Sequence, residues 1–239
     1  MNELEPLLPD PRHPHAEIFL SPIKSGWLDL SGLSLREAEK PARAGSAPTG
    51  IGDVLPCSYR RFAIRARNGV AYLVCRHFSA VRKKQQVERL RQIKLELEQE
   101  TITLIASEMV ECLGCFAGGN ALDLDVTSVA CGHSRRPDCL AFRLASEIAT
   151  RMGARRVHTF SPRPVRGSSH PKEFRRLPPL QLQDHPSRGV LVIDDIATSG
   201  FHIHEALTAV RSRGHPAIGL VWISGAKEDG SESFVAARA

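Results

Sequence analysis

Two adjacent aspartates, Asp194 and Asp195, follow the apolar run "VLVI" and lead into Ile196, Ala197, Thr198, Ser199 and Gly200. Ionised carboxylates accept hydrogen bonds and cannot donate them, whereas a vicinal diol offers two O–H donors. The "ATSG" stretch precedes a segment with helical periodicity. The first N–H groups of such a helix lack partners, and its dipole is positive at that end. Together with the Thr198 and Ser199 hydroxyls they form a cradle for phosphate, and Gly200 lets the backbone come close to the anion. A phosphate cradle one loop away from two acceptors fits a ribose 5-phosphate, with the phosphate in the loop and the diol on the aspartates.

Other chemistries compete for these residues. An apolar run ending in an acidic pair also describes a Walker B strand, but the chain has no G-x-x-x-x-G-K-[ST] loop to accompany it. "DLDVT" at Asp123–Thr127 imitates the D-x-D-x-T of haloacid-dehalogenase phosphatases, yet "GGNAL" precedes it where an apolar strand is needed. His202 and His204 are two apart on a helix and point to different faces, which disfavours a shared metal. Among the six cysteines only Cys112 and Cys115 form a CxxC pair, and no second pair completes a zinc site. In an apolar helix that pair reads as core packing.

The elements that must position these residues come from periodicity. "GVLVIDD" reads as a buried strand, "GFHIHEALTAVRSRG" as a helix and "PAIGLVWIS" as a closing strand. Upstream, "LDVTSVAC" reads as a strand, "PDCLAFRLASEIATRMG" as a helix and "ARRVHTF" as another strand. Repeated strand–helix–strand units predict an α/β fold with a parallel sheet, whose ligands bind at the carboxyl ends of the strands. "YRRFAIRARNGVAYLVC" predicts a β-hairpin about Asn68-Gly69. Ser79 opens a predicted helix that runs through about Cys115, roughly 50 Å long. Its charged first half has one narrow apolar stripe through Val87, Leu90, Ile93 or Lys94, and Leu97, and this predicts a projecting segment that pairs with a second copy, a homodimer through helix 80–115. The domain reading is a Pro-, Gly- and Ala-rich arm over 1–56, poorly ordered or wrapping, then the hairpin and long helix over 57–119, then the α/β domain over 120–239.

The chain of 239 residues carries a net charge of +6, which favours anionic partners. Arg151, Arg155, Arg156, Arg163, Arg166, Lys172, Arg175 and Arg176 crowd into 151–176 with only Glu173 opposing them. This basic strip suits pyrophosphate or nucleic acid. No stretch approaches the ~18 apolar residues of a membrane span. The acidic, proline-broken start is unlike a signal peptide, so the expected compartment is the cytoplasm.

"VLVIDDIATSGFH" resembles the phosphoribosyl-pyrophosphate (PRPP) signature of type I phosphoribosyltransferases, and the layout of residues 121–225 is similar to theirs. Within that family "VACGHSRRPDCLAFRLASEIATRMG" looks most like the branch around ComF, the competence-associated protein. The resemblance implies a Rossmann-like phosphoribosyltransferase core. It implies that Asp194 and Asp195 bind the ribose hydroxyls, and that Ala197, Thr198, Ser199, Gly200 and His202 hold the 5-phosphate. Gly132, His133, Arg135 and Arg136 would hold pyrophosphate. Arg166, Lys172, Arg175 and Arg176 would lie on a closing hood, and Mg²⁺ would be held mainly by PRPP. His202 stands where the family usually has Thr, and Phe201 where it usually has a small residue. The implied activity is transfer of phosphoribosyl from PRPP to a nitrogenous base or amine with release of pyrophosphate. The alternative is a non-catalytic PRPP-sensing or DNA-uptake accessory protein that uses the same site.

Overall fold

The structure is a computed structural model that carries side chains. It describes residues 55, 58–78, 83–117, 123–130, 138–161, 163, 179–184, 186–224 and 235–236. Of the arm expected over 1–56, only Leu55 is described, and it is fully buried in the core.

The hairpin forms as its sequence predicts. β1 (Ser58–Arg67) and β2 (Val70–Phe78) pair antiparallel, with Arg67 opposite Val70. Asn68 and Gly69 both take positive φ, 48° and 76°, as a two-residue turn matched to strand twist requires. β3 (Leu124–Ser128), β4 (Gly189–Ala197) and β5 (Ala217–Ser224) run parallel to one another, and β5 runs parallel to β2. β6 (Val235–Ala236) pairs antiparallel with β1. The sheet order is β3-β4-β5-β2-β1-β6. Residues 57–119 and 120–239 therefore share one sheet.

Helices cover both faces, so the central strands are apolar on both sides. α1 (Lys83–Glu96), α2 (Gln99–Ala117) and α3 (Leu140–Met152) pack on the face that presents Leu191, Ile193, Leu220 and Trp222. α4 (Phe201–Arg211) packs Ile203, Leu207 and Val210 on the face that presents Tyr72, Val74, Val192 and Val221. The result is an α/β fold with a mostly parallel, doubly covered sheet, as expected.

Two expectations are corrected. The long helix is two helices. Leu97 adopts φ 50°, its N–H still reaching the Ile93 carbonyl at 3.0 Å, and α2 begins afresh. The break turns α1 back on the sheet, where Gln86, Leu90 and Ile93 are buried. Burial of this stripe within its own chain outweighs the strain of one left-handed residue, about 1–2 kcal/mol. Leu90 and Ile93 of the stripe are thus buried within their own chain, whereas Val87 and Leu97 are half-buried. Second, "ARRVHTF" does not make a full strand. The segment touches β3 as a parallel bridge between Val126 and Arg156, and Phe160 bridges to Leu182.

Among the described residues, no helix is long and apolar enough to cross a membrane.

Candidate functional site

β4 places the two aspartates by strand alternation. Asp194 follows the parity of Val192, toward the α4 face, and Asp195 that of Ile193, toward α1 and α3. Both residues are nearly enclosed, 5% and 8% exposed. Burial, and then the neighbouring Asp195 charge, push the Asp194 carboxyl well above the usual carboxylate range. The Lys94 ammonium and the backbone N–H groups of Asp195 and Ile196 act the other way. Lys94, on the last turn of α1, places Nζ 2.8 Å from Asp195 Oδ2.

The loop after the aspartates is held from behind. Gly200, at the N-terminus of α4, has φ 68°. A Cβ there would lie 2.7 Å from the Tyr72 hydroxyl oxygen, so glycine is required both by conformation and by the tyrosine beneath it. Arg67 of β1 donates to the Ser199 carbonyl. Ser224, at the end of β5, donates to the Ala197 carbonyl at 3.2 Å and accepts from Arg65 at 2.9 Å. Arg65 also lies 3.3 Å from His77 Nδ1, while His77 Nε2 is 3.1 Å from the Arg61 carbonyl. Burial, aided by the Arg65 charge, lowers the His77 pKa to about 4. His77 is therefore neutral near pH 7, with Nε2–H donating to Arg61 and Nδ1 accepting from Arg65. Two arginines of the hairpin thus brace Ala197–Gly200. Thr198 faces solvent and Ser199 is half-buried.

His202 and Phe201 are half-buried on the first turn of α4, their rings edge-to-face at 5.8 Å. His204 also lies on α4, and its pKa is lowered by burial and then by Arg67. Among the described residues, no three His, Cys, Asp or Glu side chains converge on a metal position.

The expected site residues divide into two groups. The structure brings together Asp194, Asp195, Ala197, Thr198, Ser199, Gly200 and His202 on β4 and the first turn of α4. Gly132, His133, Arg135, Arg136, Arg166, Lys172, Arg175 and Arg176 lie outside the described residues.

The described arginines of the basic strip are engaged by carboxylates or by carbonyls. Arg151 pairs with Glu147, and Arg155 grips Asp125 at 3.0 and 2.6 Å. Arg156 donates to the Val126 and Val157 carbonyls. Arg163, only 6% exposed, forks onto Glu205 at 2.7 and 2.6 Å. Glu173 is therefore not their only counter-charge, and this part of the strip builds structure instead of a free cationic face. Asp125 of the phosphatase-like "DLDVT" is likewise structural, its carboxyl held low first by its hydrogen bond from Arg155. Cys112 is buried with Sγ 3.8 Å from the Val74 carbonyl, whereas Cys115 is exposed.

Lys94, Arg65 and Arg67 are the site residues that sequence reasoning missed. Alternating arginines on a hairpin strand carried a weak signal. Lys94 carried none, because its place depends on the break at Leu97.

No family model matches the chain, and no curated protein matches it in sequence. Among solved structures it is similar to orotate phosphoribosyltransferase from Aeropyrum pernix. That likeness has 16% identity, covers 73% of this chain and 93% of that one, and has a TM-score of 0.36.

Proposed function

We propose that the pocket at the end of β4 binds PRPP and that the protein transfers its phosphoribosyl group to a nitrogenous base or amine, releasing pyrophosphate. One observation carries this reading. A buried strand delivers two adjacent carboxylates and then, within five residues, a glycine-turned hydroxyl loop at a helix N-terminus. Acceptors for a diol and donors for a phosphate thereby stand one loop apart, the separation of the two ends of a ribose 5-phosphate.

In this reading Asp194 and Asp195 accept from the ribose hydroxyls, and Thr198, Ser199 and the first N–H groups of α4 hold the 5-phosphate. His202 donates to the same phosphate from its imidazole N–H. Gly132, His133, Arg135 and Arg136 take the pyrophosphate, and the hood residues Arg166, Lys172, Arg175 and Arg176 close over it. As pyrophosphate leaves C1, the nearby carboxylates favour the positive charge that develops on the sugar, and closure excludes competing water.

The residues present suit a magnesium ion held by the substrate. Lys94 already occupies one oxygen of Asp195, and Mg²⁺ commonly binds through substrate phosphates and its own waters. Bound there, it would neutralise the leaving pyrophosphate.

An accessory role of the ComF type would use the same pocket without transfer. The imidazole of His202 in place of a hydroxyl donor is the observation that favours it. A cytoplasmic setting fits either role. A nucleic-acid partner for the strip 151–176 loses support from the engagement of Arg151, Arg155, Arg156 and Arg163.

Calorimetric titration of Mg²⁺–PRPP, with ribose 5-phosphate alongside, tests the reading. Saturable binding of both ligands, stronger for PRPP with magnesium, is expected. Failure of the folded protein to bind either one rejects the site. Binding without pyrophosphate release in an acceptor screen would favour the accessory role.

A further inference from the structure

The contact between Lys94 and Asp195 joins an element the family signature does not include to the centre of the pocket. α1 is seated on the sheet by Gln86, Leu90 and Ile93, all buried, and the left-handed turn at Leu97 returns the chain toward α2. This arrangement carries position 94 to the end of β4. Lys94 remains 41% exposed along its side chain, yet its ammonium rests on Asp195, whose side chain is 12% exposed.

The contact is direct, with Nζ 2.8 Å from Oδ2, and the lysine ammonium acts there as a compact point charge. Among the described residues, the charged groups that act on Asp194 are Asp195 and Lys94. The neighbour of Asp194 on β5 is Val221, which is apolar, and on the β3 side Ser128 lies beside Ile193 and takes a hydrogen bond from Arg156. Lys94 thus touches Asp195 directly and acts on the adjacent Asp194 through its charge.

From this we infer that Lys94 is a positioning residue of the pocket, its ammonium fixing the Asp195 carboxylate where the aspartate pair can accept from a ribose diol. The inference rests on the reading of the pocket as a ribosyl-phosphate site. Without the ammonium, two neighbouring carboxylates away from water bind a proton more tightly. A protonated carboxyl loses acceptor capacity, so diol binding weakens as pH falls, and does so from a higher pH than in the unaltered protein.

The test compares the full chain with Lys94→Met and Lys94→Arg, titrated with ribose 5-phosphate and, separately, with inorganic phosphate between pH 5.5 and 8.5. Lys94→Met should bind ribose 5-phosphate about tenfold more weakly at pH 7, with the acid limb of its affinity displaced upward by about one pH unit, the low end of what an adjacent opposite charge produces. Lys94→Arg should restore most of the loss. Affinity for inorganic phosphate should stay unchanged, because the loop that would hold it is braced by Arg65 and Arg67.

Three results would overturn the inference. One is Lys94→Met with unaltered affinity and an unaltered acid limb. Another is an equal loss for both ligands with no movement of the limb, the mark of a packing role. The third is an unaltered protein that binds neither ligand, which would reject the ribosyl-phosphate site together with the role of Lys94. Saturable binding by the unaltered protein separates the first two results from the third.

Discussion

Glu108 on α2, a helix packed against the sheet, and Asp194 at the end of β4, a strand of that sheet, are both buried carboxylates, yet they face different company. Glu108 receives Arg76 Nε at 2.8 Å on each oxygen and Trp222 Nε1 at 3.0 Å, and Arg76 in turn donates to Ser58 at 2.9 Å. The cluster is a closed network that ties α2 to the hairpin and to β5. Asp194 has a second carboxylate beside it and one half-exposed lysine near the pair. A closed buried network holds elements in register. Two like charges placed side by side in an enclosed site are costly to the fold, and such perturbed pairs gather at functional sites.

The largest effect should follow from opening the closed network. Glu108→Ala leaves Arg76 buried without its counter-charge and should cost about 3–5 kcal/mol, read from the urea midpoint. A loss under about 1 kcal/mol would show that water compensates Arg76, and the contrast between the clusters would collapse.

Next in size, Asp194→Asn with Asp195→Asn should weaken ribose 5-phosphate binding by ~100-fold or more, since two charge-assisted hydrogen bonds of roughly 1.5–3 kcal/mol each are lost. Stability should move the other way. Because the folded pKa of Asp194 is raised, the native protein keeps a proton that the unfolded chain releases above about pH 4. The wild-type protein therefore loses stability from this group as pH rises from there through the folded pKa. Asp194→Asn removes that loss, so its unfolding midpoint should exceed the wild-type value at pH 8 by more than at pH 5. A midpoint difference that stays constant with pH would contradict the strained-pair picture.

A smaller effect belongs to the loop. Gly200→Ala should cost about 1–2 kcal/mol for the left-handed backbone alone, with a further steric cost from Tyr72. Tyr72→Phe should recover the steric part and leave the backbone part. Equal costs in both backgrounds would mean that the tyrosine hydroxyl does not limit position 200. The smallest effect is expected from Arg151→Ala, which breaks a partly exposed pair with Glu147 one helical turn away and should change stability by less than about 0.5 kcal/mol. A larger loss would place Arg151 with the closed networks.

The comparison also marks where sequence reading succeeds. Strand alternation, the Asn68-Gly69 turn, the left-handed glycine at 153 that ends α3, and the apolar run into Asp194 and Asp195 are short-range signals. Each depends on residues within a few positions, so β1, β2, β4, β5, α3, α4 and the placement of Asp194–Gly200 between β4 and α4 were legible. The uninterrupted helix was misread because helical periodicity continues across Leu97. The break is stabilised by contacts of Leu90 and Ile93 with the sheet that no local pattern records. "ARRVHTF" has strand composition, but it lies outside β3, a strand of five residues, and pairs with it only at Val126.

The sequence by itself determined which residues can do chemistry and the elements that carry them, because side-chain type and periodicity are local properties. Tertiary structure decided which charges meet. Glu205 takes Arg163, Asp125 takes Arg155, Glu108 takes Arg76, and Lys94 is left for Asp195. Coulombic and hydrogen-bond energies fall off within a few ångströms, so those pairings depend on how the chain folds back on itself.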